Sequence, residues 1–271
     1  MVRVNFLGRL GNNMFQYCFG RILATELGYK LVSPLIDGFA GTQENVEGKL
    51  IDENPLKLDG HIVDLKDILH NQQDRQIVLN GCFQRYEYYK NYKTEIRKWM
   101  DINYHDVGQT ENDIIMHVRL GDNVTTFDTE HPFIMPLSYY EKALSSTSYD
   151  KLYICSDPET IDNEYIRQFD KYDPIILRGG MTNNRIDLRT IKSFSKIIIS
   201  QSTFSWWGAF LSNASEIFVP VPNRGTARLK NEWSIARPDI ALFVDDEERY
   251  KYIKQYEDGW QLVNLQDIEE R

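Results

Sequence analysis

The sequence IIMHVRLGD, at residues 114–122, is typical of a buried strand that runs into a glycine-containing turn. Short apolar runs of the same kind follow at Leu152–Cys155, Ile175–Leu177, Lys196–Ile199 and Ile217–Val219. Helical patterns lie between these runs, around residues 138–147, 159–169, 185–194 and 203–213. Continuous apolar strands that alternate with helices predict a parallel sheet covered on both faces.

The first part of the chain has a similar α/β beginning. Residues 2–6 alternate apolar and polar side chains, as a half-buried strand does. The turn GRLGNN follows at residues 8–13, and a helical pattern begins after it. A polar stretch at 101–113 predicts a domain boundary. We therefore expect an α/β protein of two Rossmann-like domains facing a cleft, residues 1–108 and 109–271, with ligands outside the carboxyl ends of the strands.

Three other segments carry expectations about local structure. Residues 37–60 are rich in Gly, Asp, Glu and Asn and predict a long loop. Residues 85–100 predict a helix, and the acidic, aromatic end of the chain predicts a closing helix and tail.

The composition, with 42% apolar and 26% charged residues over 271 positions, is that of an ordinary globular protein. A net charge of −9 argues against nucleic acid as a partner, because phosphate neutralisation needs clustered Lys and Arg. Cys18, Cys82 and Cys155 lack CxxC spacing and His companions, which predicts reduced thiols. No transmembrane-length apolar run or signal peptide is recognised, so we expect a cytoplasmic protein without a transmembrane segment.

The turn at residues 8–13 has the spacing G-x-x-G-N between a strand and a helix. Backbone N–H groups in such a turn, together with the helix N-terminus, can point at an anion. The spacing is neither a P-loop nor a dinucleotide-binding fingerprint. A tight turn that needs a positive φ angle at glycine is the structural alternative.

The turn after residues 114–118 carries Arg119 and Asp122. A guanidinium at a strand end, close to a glycine, suits a bidentate contact with phosphate. The structural alternative is an ion pair between Arg119 and Asp122. His117 is either a hydrogen-bonded core histidine or a catalytic group.

The third segment is SQSTFSWWG at residues 200–208. Hydroxyl groups directly before a helix cap its N-terminus and can equally bind a phosphate there. Trp206 and Trp207 are expected to pack in the core. Because all three segments suit oxyanions, a pyrophosphate is their simplest common ligand. No Asp-x-Asp sequence stands at a strand end to hold Mg²⁺ or Mn²⁺, so we expect no metal cofactor.

Together and in this order, the three segments resemble the motifs of the inverting α-1,2-fucosyltransferases of glycosyltransferase family 11. GRLGNNMFQY at residues 8–17 resembles the family's G-x-L-G-N-Q-M-F-Q-Y opening, HVRLGD at 117–122 its H-V-R-R-G-D motif, and SQSTFSWW at 200–207 its S-N-S-S-F-S-W-W motif. Residues 187–200 are similar to what precedes the last motif. The resemblance implies a GT-B-like fold, GDP-fucose as the donor substrate and a glycan as the acceptor. It further implies inversion at the fucose anomeric carbon and an α-1,2 linkage to galactose.

The resemblance also implies roles for individual residues. Arg119 would stabilise the departing GDP, and His117 and Asp122 would be further catalytic candidates. The His117 main chain would lie near the guanine base of the donor. Asp187 would accept hydrogen bonds from the guanine edge. The pyrophosphate would be held by Ser202, Thr203 and Phe204. Donor and acceptor would be covered by a loop made of Gly8, Arg9, Leu10, Gly11 and Asn12.

The chain departs from the family pattern at three positions. Leu120 stands in place of a second Arg, Asn13 in place of a Gln and Asn123 in place of a Tyr. Two alternatives stay open: a GT-B transferase with another nucleotide sugar such as GDP-mannose, and, because of Leu120, a catalytically silent sugar- or nucleotide-binding protein. A dinucleotide-dependent oxidoreductase is disfavoured because its glycine spacing is absent. A general base is not assigned among His117, Asp122 and Asp37.

Overall fold

The computed structural model describes residues 1–39, 41–42, 53–60, 63–71, 75–103, 105–121, 124, 134–178, 184–221 and 247–269. These residues form two compact units, unit 1 with residues Met1–Ile102 and unit 2 beginning at Asn103. The predicted boundary after residue 108 lies shortly past this division. Each unit is built on a sheet of its own.

The described residues of unit 1 form a small parallel sheet and three α-helices. Its strands are β1 (Val2–Val4), β2 (Leu31–Val32), β3 (Leu56–Leu58) and β4 (Ile77–Leu79). They pair in the order β2-β1-β4-β3. Its helices are α1 (Leu10–Glu26), α2 (Leu65–Asn71) and α3 (Lys93–Trp99). α1 packs closely on β1 because Gly20 has no side chain: a Cβ atom there would lie 2.4 Å from Cγ2 of Val4.

The strand, turn and helix predicted at the start of the chain are confirmed, but two other expectations in unit 1 were wrong. The described part of the predicted 37–60 loop contains β3, which gains its hydrogen bonds by pairing with β4. The predicted 85–100 helix begins instead with two 3₁₀ turns, Tyr86–Tyr88 and Lys90–Tyr92, before α3. Three tyrosines are buried within four residues there, Tyr86, Tyr88 and Tyr89. One α-helical face cannot bury such closely spaced side chains.

Unit 2 contains a larger sheet and five helices among its described residues. Its strands are β5 (Ile114–Val118), β6 (Leu152–Ser156), β7 (Ile175–Leu177), β8 (Lys196–Ile198), β9 (Glu216–Val221), β10 (Tyr250–Tyr256) and β11 (Gly259–Val263). Its helices are α4 (Leu137–Ser145), α5 (Glu164–Arg167), α6 (Asn184–Ser193), α7 (Thr203–Leu211) and α8 (Gln266–Glu269). The five apolar runs predicted as strands are confirmed.

The strands of unit 2 are ordered β11-β10-β9-β8-β5-β6-β7, and all pair in parallel except the antiparallel pair β10–β11. If β5 is counted as the first strand, the parallel part has the order 3-2-1-4-5-6 of a doubly wound Rossmann-like sheet. The predicted α/β class with parallel sheets is therefore confirmed. The strand order reverses between β5 and β8.

The closing helix and tail predicted at the end of the chain were wrong. The segment forms a hairpin, β10 and β11, followed by the short helix α8. β10 extends the sheet by pairing with β9, and it buries Tyr250, Tyr252 and Ile253. The alternation of buried Tyr250 and Tyr252 with Lys251 was the local signal for a strand. β11 places Trp260 against Tyr139 of α4, with ring centroids 5.2 Å apart.

Candidate functional site

The carboxyl ends of β5, β6 and β8 lie next to one another in unit 2, because these strands are neighbours in the sheet. Arg119 directly follows β5, and Asp157 directly follows β6. The segment 200–204 follows β8 closely and leads into α7. Because the strand order reverses between β5 and β8, this edge is where a doubly wound sheet binds its ligand. The structure thus brings two of the three predicted segments to one place.

Arg119 forms an ion pair with Asp157, in which Nη1 donates to the Oδ1 atom of the carboxylate. The two side chains are 16% and 17% exposed, so the pair is shielded from most of the solvent but still accessible. The predicted alternative partner, Asp122, lies outside the described residues. Asp157 was missed from the sequence, although it directly follows a run that was predicted to be a strand.

His117 lies inside unit 2, with its Nδ1 atom 2.9 Å from the Ser200 hydroxyl. Its ring centroid is 5.8 Å from that of Phe204. Burial lowers the pKa of His117 to about 4, opposed by the negative charge of Asp157 and assisted by the positive charge of Arg119. At neutral pH the imidazole is therefore uncharged and joins the end of β5 to the segment after β8. Its role as a catalytic group stays a prediction.

The N-terminus of α7 is capped by Ser202, whose hydroxyl accepts a hydrogen bond from the Phe204 N–H over 3.3 Å. The hydroxyl of Ser205 reaches back to the carbonyl groups of Ser200 and Ser202, at 3.4 and 3.2 Å. These contacts hold the segment before α7 in place, so that the N-terminal end of the helix lies at the sheet edge. The capping role considered for this segment is therefore present, and it is compatible with phosphate binding by the remaining N–H groups.

The two tryptophans of α7 are core residues, as expected. Trp206 and Trp207 are buried, and both rings lie against Phe210, with centroid distances of 4.8 and 5.5 Å. Nearly the whole helix is buried, which anchors its N-terminus firmly in unit 2.

Two further polar side chains at this edge have no hydrogen-bond partner within the part of the chain that the structure describes. Among the described residues, no partner is found for the buried Oε1 and Nε2 atoms of Gln201 or for the buried hydroxyl of Ser156. Gln201 lies between the two serines that shape the α7 turn, and Ser156 is the last residue of β6. Buried polar atoms are normally satisfied, so this edge is more polar than a structural core needs.

Asp187 lies in the first turn of α6 and is buried. Burial, as the larger cause, and the negative charge of Asp157 together raise its pKa to about 6. The Cys155 thiol is also affected by the charges of both carboxylates, which raise its pKa beyond the effect of burial. The charge of Asp157 therefore acts on Asp187, and the charges of both carboxylates act on Cys155 near the end of β6.

Leu120 is completely buried and belongs to the core cluster that includes Met116, Val118 and Tyr140. The side chain at this position points into the core of unit 2 and not towards the edge that holds Arg119. The leucine at this position therefore contributes to the core.

Two tyrosines of α4 bind the main chain at the ends of the central strands. The Tyr139 hydroxyl donates to the carbonyl of Ile199 at 2.7 Å, and the Tyr140 hydroxyl donates to the carbonyl of His117 at 3.3 Å. Sequence reasoning identified the α4 helix but not these contacts, because they join residues that are far apart in the chain.

The predicted loop of unit 1 is a tight turn before α1. Gly8 has a φ angle of +79°, and a Cβ atom on it would lie 2.4 Å from the Asn12 side chain. Arg9 is the N-cap residue, and Leu10 and Gly11 begin α1. The structural alternative for this turn is therefore present, while its contact with a donor or acceptor stays a prediction.

Two glutamines that were not predicted brace this turn. Gln16 accepts a hydrogen bond from the Leu7 N–H and donates one to the Gly81 carbonyl, both over 3.0 Å. Gln84 donates to the Asn12 side chain over 2.8 Å. Asp37, a candidate base from the sequence, is exposed in a turn of the same unit.

Comparison with known proteins gives partial similarity to two glycosyltransferases, and no family model matches the chain. The chain is 25% identical over 122 residues to the O-antigen biosynthesis glycosyltransferase WbnK of Escherichia coli, covering 43% of this chain and 40% of the relative. It is 25% identical over 150 residues to an α-1,2-colitosyltransferase of Escherichia coli, covering 49% of this chain and 50% of the relative. The chain thus spans half or less of the length of these curated relatives.

Two searches of the described residues bear on metals and membranes. They contain no group of three or more His, Cys, Asp and Glu side chains placed to hold a metal ion. No helix in the described part of the chain combines the length and apolar character needed to cross a membrane.

Proposed function

We propose that this protein is an inverting glycosyltransferase with a GT-B-like arrangement that moves L-fucose from GDP-fucose to a hydroxyl group of a glycan, in α-1,2 linkage to galactose. The observation that carries the proposal is the position of Arg119 and the capped α7 N-terminus, on neighbouring strands at the reversal point of the unit 2 sheet. The partial similarity to two glycosyltransferases supports the same class of reaction.

The chemistry of the transfer needs positive charge where GDP departs. The acceptor hydroxyl oxygen bonds to the anomeric carbon while the bond from that carbon to the phosphate oxygen breaks. GDP leaves with the electron pair, and the hydroxyl proton is released to a base or to water. Arg119 would stabilise this growing negative charge, with Ser202, Thr203 and Phe204 contributing hydroxyl and backbone donors. Such preorganised donors stabilise a leaving group without a metal ion. Unit 2 is thus proposed as the donor side and unit 1 as the acceptor side.

Asp187 would select the base of the donor. A carboxylate can accept two hydrogen bonds from the N–H groups on one edge of guanine, whereas uracil offers a single N–H between two carbonyl groups. The buried position of Asp187 in the first turn of α6 suits such a contact, because a buried acceptor discriminates strongly between ligands that do and do not supply donors.

Calorimetric titration of the purified protein with GDP, GDP-fucose and UDP, in the presence of EDTA, tests the proposal. We expect both guanine ligands to bind and UDP not to bind. In a subsequent assay, the protein should release GDP from GDP-fucose when galactose-terminated glycans are present. NMR of the glycan product should show the α-1,2 linkage. Absence of binding by GDP and GDP-fucose would overturn the assignment of the donor.

A transferase for another deoxy sugar is the second candidate. It is favoured by the similarity to a protein whose name states α-1,2-colitosyl transfer. Side-by-side assays with fucosyl and colitosyl donors would decide between them. Binding of GDP without turnover of any donor would instead support the catalytically silent binding protein that Leu120 makes conceivable.

A further inference from the structure

Asp157 occupies a position equivalent to that of Arg119 on the neighbouring strand. The register of the parallel pair β5–β6 places Val118 opposite Ser156, and each strand ends at that residue. Arg119 and Asp157 are therefore the first residues beyond two paired ends, and their side chains meet in the ion pair described above. The contact is consistent with the register of the sheet.

A short turn after β6 holds Asp157 in place. The main-chain N–H and the hydroxyl of Thr160 both donate to the Asp157 carbonyl, over 2.9 and 3.1 Å. The same hydroxyl accepts a hydrogen bond from the Gly121 N–H at 3.4 Å. Thr160 is buried and thus ties the turn that carries Asp157 to the turn that carries Arg119.

Gly121 provides the space for the pair. Its φ angle is +41°, and a Cβ atom on it would lie 2.2 Å from Nη1 of Arg119 and 2.9 Å from Oδ1 of Asp157. The turn after β5 is thus shaped so that the guanidinium and the carboxylate can meet above its backbone.

We infer that Asp157 is a positioning residue that holds the Arg119 guanidinium in the orientation needed to bind the diphosphate of the donor. The inference rests on the proposed function of Arg119 as the group that stabilises the departing nucleotide. A guanidinium is a planar fork of N–H donors that can bind a carboxylate along one edge while it presents other donors to phosphate oxygens. A positioned donor stabilises the transition state more than a mobile one does, so Asp157 acts chiefly on kcat.

The charge of Asp157 has a second effect, on Asp187. It raises the pKa of Asp187, after burial, which is the larger cause. Among the described residues, α7, which packs on α6, has no ionisable side chain, and β6 contributes the Cys155 thiol near Asp187. On α6 itself the charged residues are Arg185, Arg189 and Lys192. Removal of the Asp157 charge should therefore lower the pKa of Asp187.

The test compares Asp157→Asn with the unaltered protein by three measurements. The Arg119 Nε–Hε signal in a ¹H–¹⁵N spectrum, assigned by its absence in Arg119→Lys, should shift and broaden because the guanidinium becomes mobile. The value of kcat should fall at least about tenfold, while the Kd for GDP changes less than about threefold. The acid limb of GDP-fucose binding should move to lower pH.

Two variants control for folding and for the loss of any ion pair. Thr160→Val keeps the carboxylate but removes the hydroxyl that ties the two turns together. We therefore expect smaller changes in the Arg119 signal and in kcat, and no shift of the acid limb, because the charge of Asp157 is retained. Asp162→Asn breaks the exposed ion pair of Asp162 with Arg178, whose side chains are 68% and 65% exposed, and should change none of the three readouts.

An unchanged Arg119 signal, or an unchanged kcat, in folded Asp157→Asn would overturn the inference. The NMR measurement needs neither donor nor acceptor. If the unaltered protein fails to bind GDP, the proposed function fails, while the Arg119 signal still decides whether Asp157 orients that side chain.

Discussion

At the scale of single residues, the proposed chemistry depends on one guanidinium that lies at the end of a central strand. Arg119 is paired with a carboxylate and has limited exposure, which places its charge in a medium less polar than water. A charge in such a place acts more strongly on a nearby phosphate than a charge on an open surface. The residue is therefore suited to stabilise negative charge that grows during a reaction.

Replacement of Arg119 by alanine should lower kcat by about 10²-fold or more, because the transition state loses its main positive group. Arg119→Lys should recover only part of the rate, since an ammonium group cannot make a bidentate contact. Steady-state kinetics on variants with unchanged circular dichroism provide the measurement. Arg178→Ala, which removes an exposed arginine of unit 2, is the matched control. A folded Arg119→Ala protein with normal kcat would contradict the proposed role.

Asp187 should make donor binding dependent on pH. Its pKa is raised to about 6, so the carboxylate that accepts guanine N–H groups is ionised above that pH and protonated below it. The affinity for GDP-fucose should therefore fall by about tenfold for each pH unit below this value, and Asp187→Asn should abolish this dependence. GDP-fucose is the better ligand for the titration, because its phosphates do not ionise further in this range, whereas the terminal phosphate of GDP does. Equal pH dependence in the variant and the unaltered protein would show that Asp187 does not bind the guanine base.

At the scale of elements, the proposed site is made from the ends of three strands and the beginnings of two helices, α6 and α7. Each of these elements is anchored by buried side chains. Hydrogen bonds between His117 and Ser200 and between Tyr139 and Ile199 join their ends. The segment between β8 and α7, residues 199–202, is only four residues long. Short turns on anchored elements hold functional groups with little loss of precision.

The turn after β5 can be tested through its glycine. Gly121→Ala would place a methyl group 2.2 Å from Nη1 of Arg119, so the guanidinium must move and kcat should fall by about tenfold or more. Gly108→Ala is a matched control in the same unit, because Gly108 also has a positive φ angle, +78°, but has nothing within 4 Å of the added Cβ. Both variants should lose about 1 kcal/mol of stability from backbone strain. Equal kcat values for the two variants would mean that the space above Gly121 is not needed for catalysis.

At the scale of the whole molecule, the chain consists of two units, one with a parallel sheet and one with a largely parallel sheet. Unit 2 carries a sheet with doubly wound order and, at its edge, the donor candidates Arg119, Asp187 and Ser202. Unit 1 carries the glycine turn that the sequence associated with donor and acceptor. Division of labour between a donor unit and an acceptor unit is therefore the simplest arrangement for the proposed transfer.

Catalysis by the whole protein should persist in excess EDTA. The positive charge that stabilises the departing GDP would come from Arg119 and the α7 N-terminus, so a divalent ion has no necessary part in that step. The measurement is GDP release with and without EDTA, with Mg²⁺ and Mn²⁺ restored in parallel reactions. Loss of activity in EDTA that Mn²⁺ restores would show that a metal supplies this charge instead.

Local patterns in the sequence were sufficient for much of this description. The five apolar runs between residues 114 and 219 predicted five strands of unit 2, because burial on both faces requires continuous apolar residues. Residues suited to phosphate stood directly after two of those strands, so the edge of the sheet that carries Arg119 and Ser202 followed from the sequence as well. The β10–β11 hairpin was missed because its composition is polar and its pairing with β9 is a tertiary contact.

Only the tertiary structure decided which side chains act together. Arg119 and Asp157 are 38 residues apart in the chain, and their ion pair depends on β6 lying beside β5 in one particular register. The burial of Leu120 likewise depends on helices and strands from the rest of unit 2. Periodicity and turn chemistry depend on short stretches of sequence. Strand order and register depend on how all the strands of the sheet bury their side chains together. The sequence alone therefore determined the elements and the residue types at their ends, and the fold determined their partners.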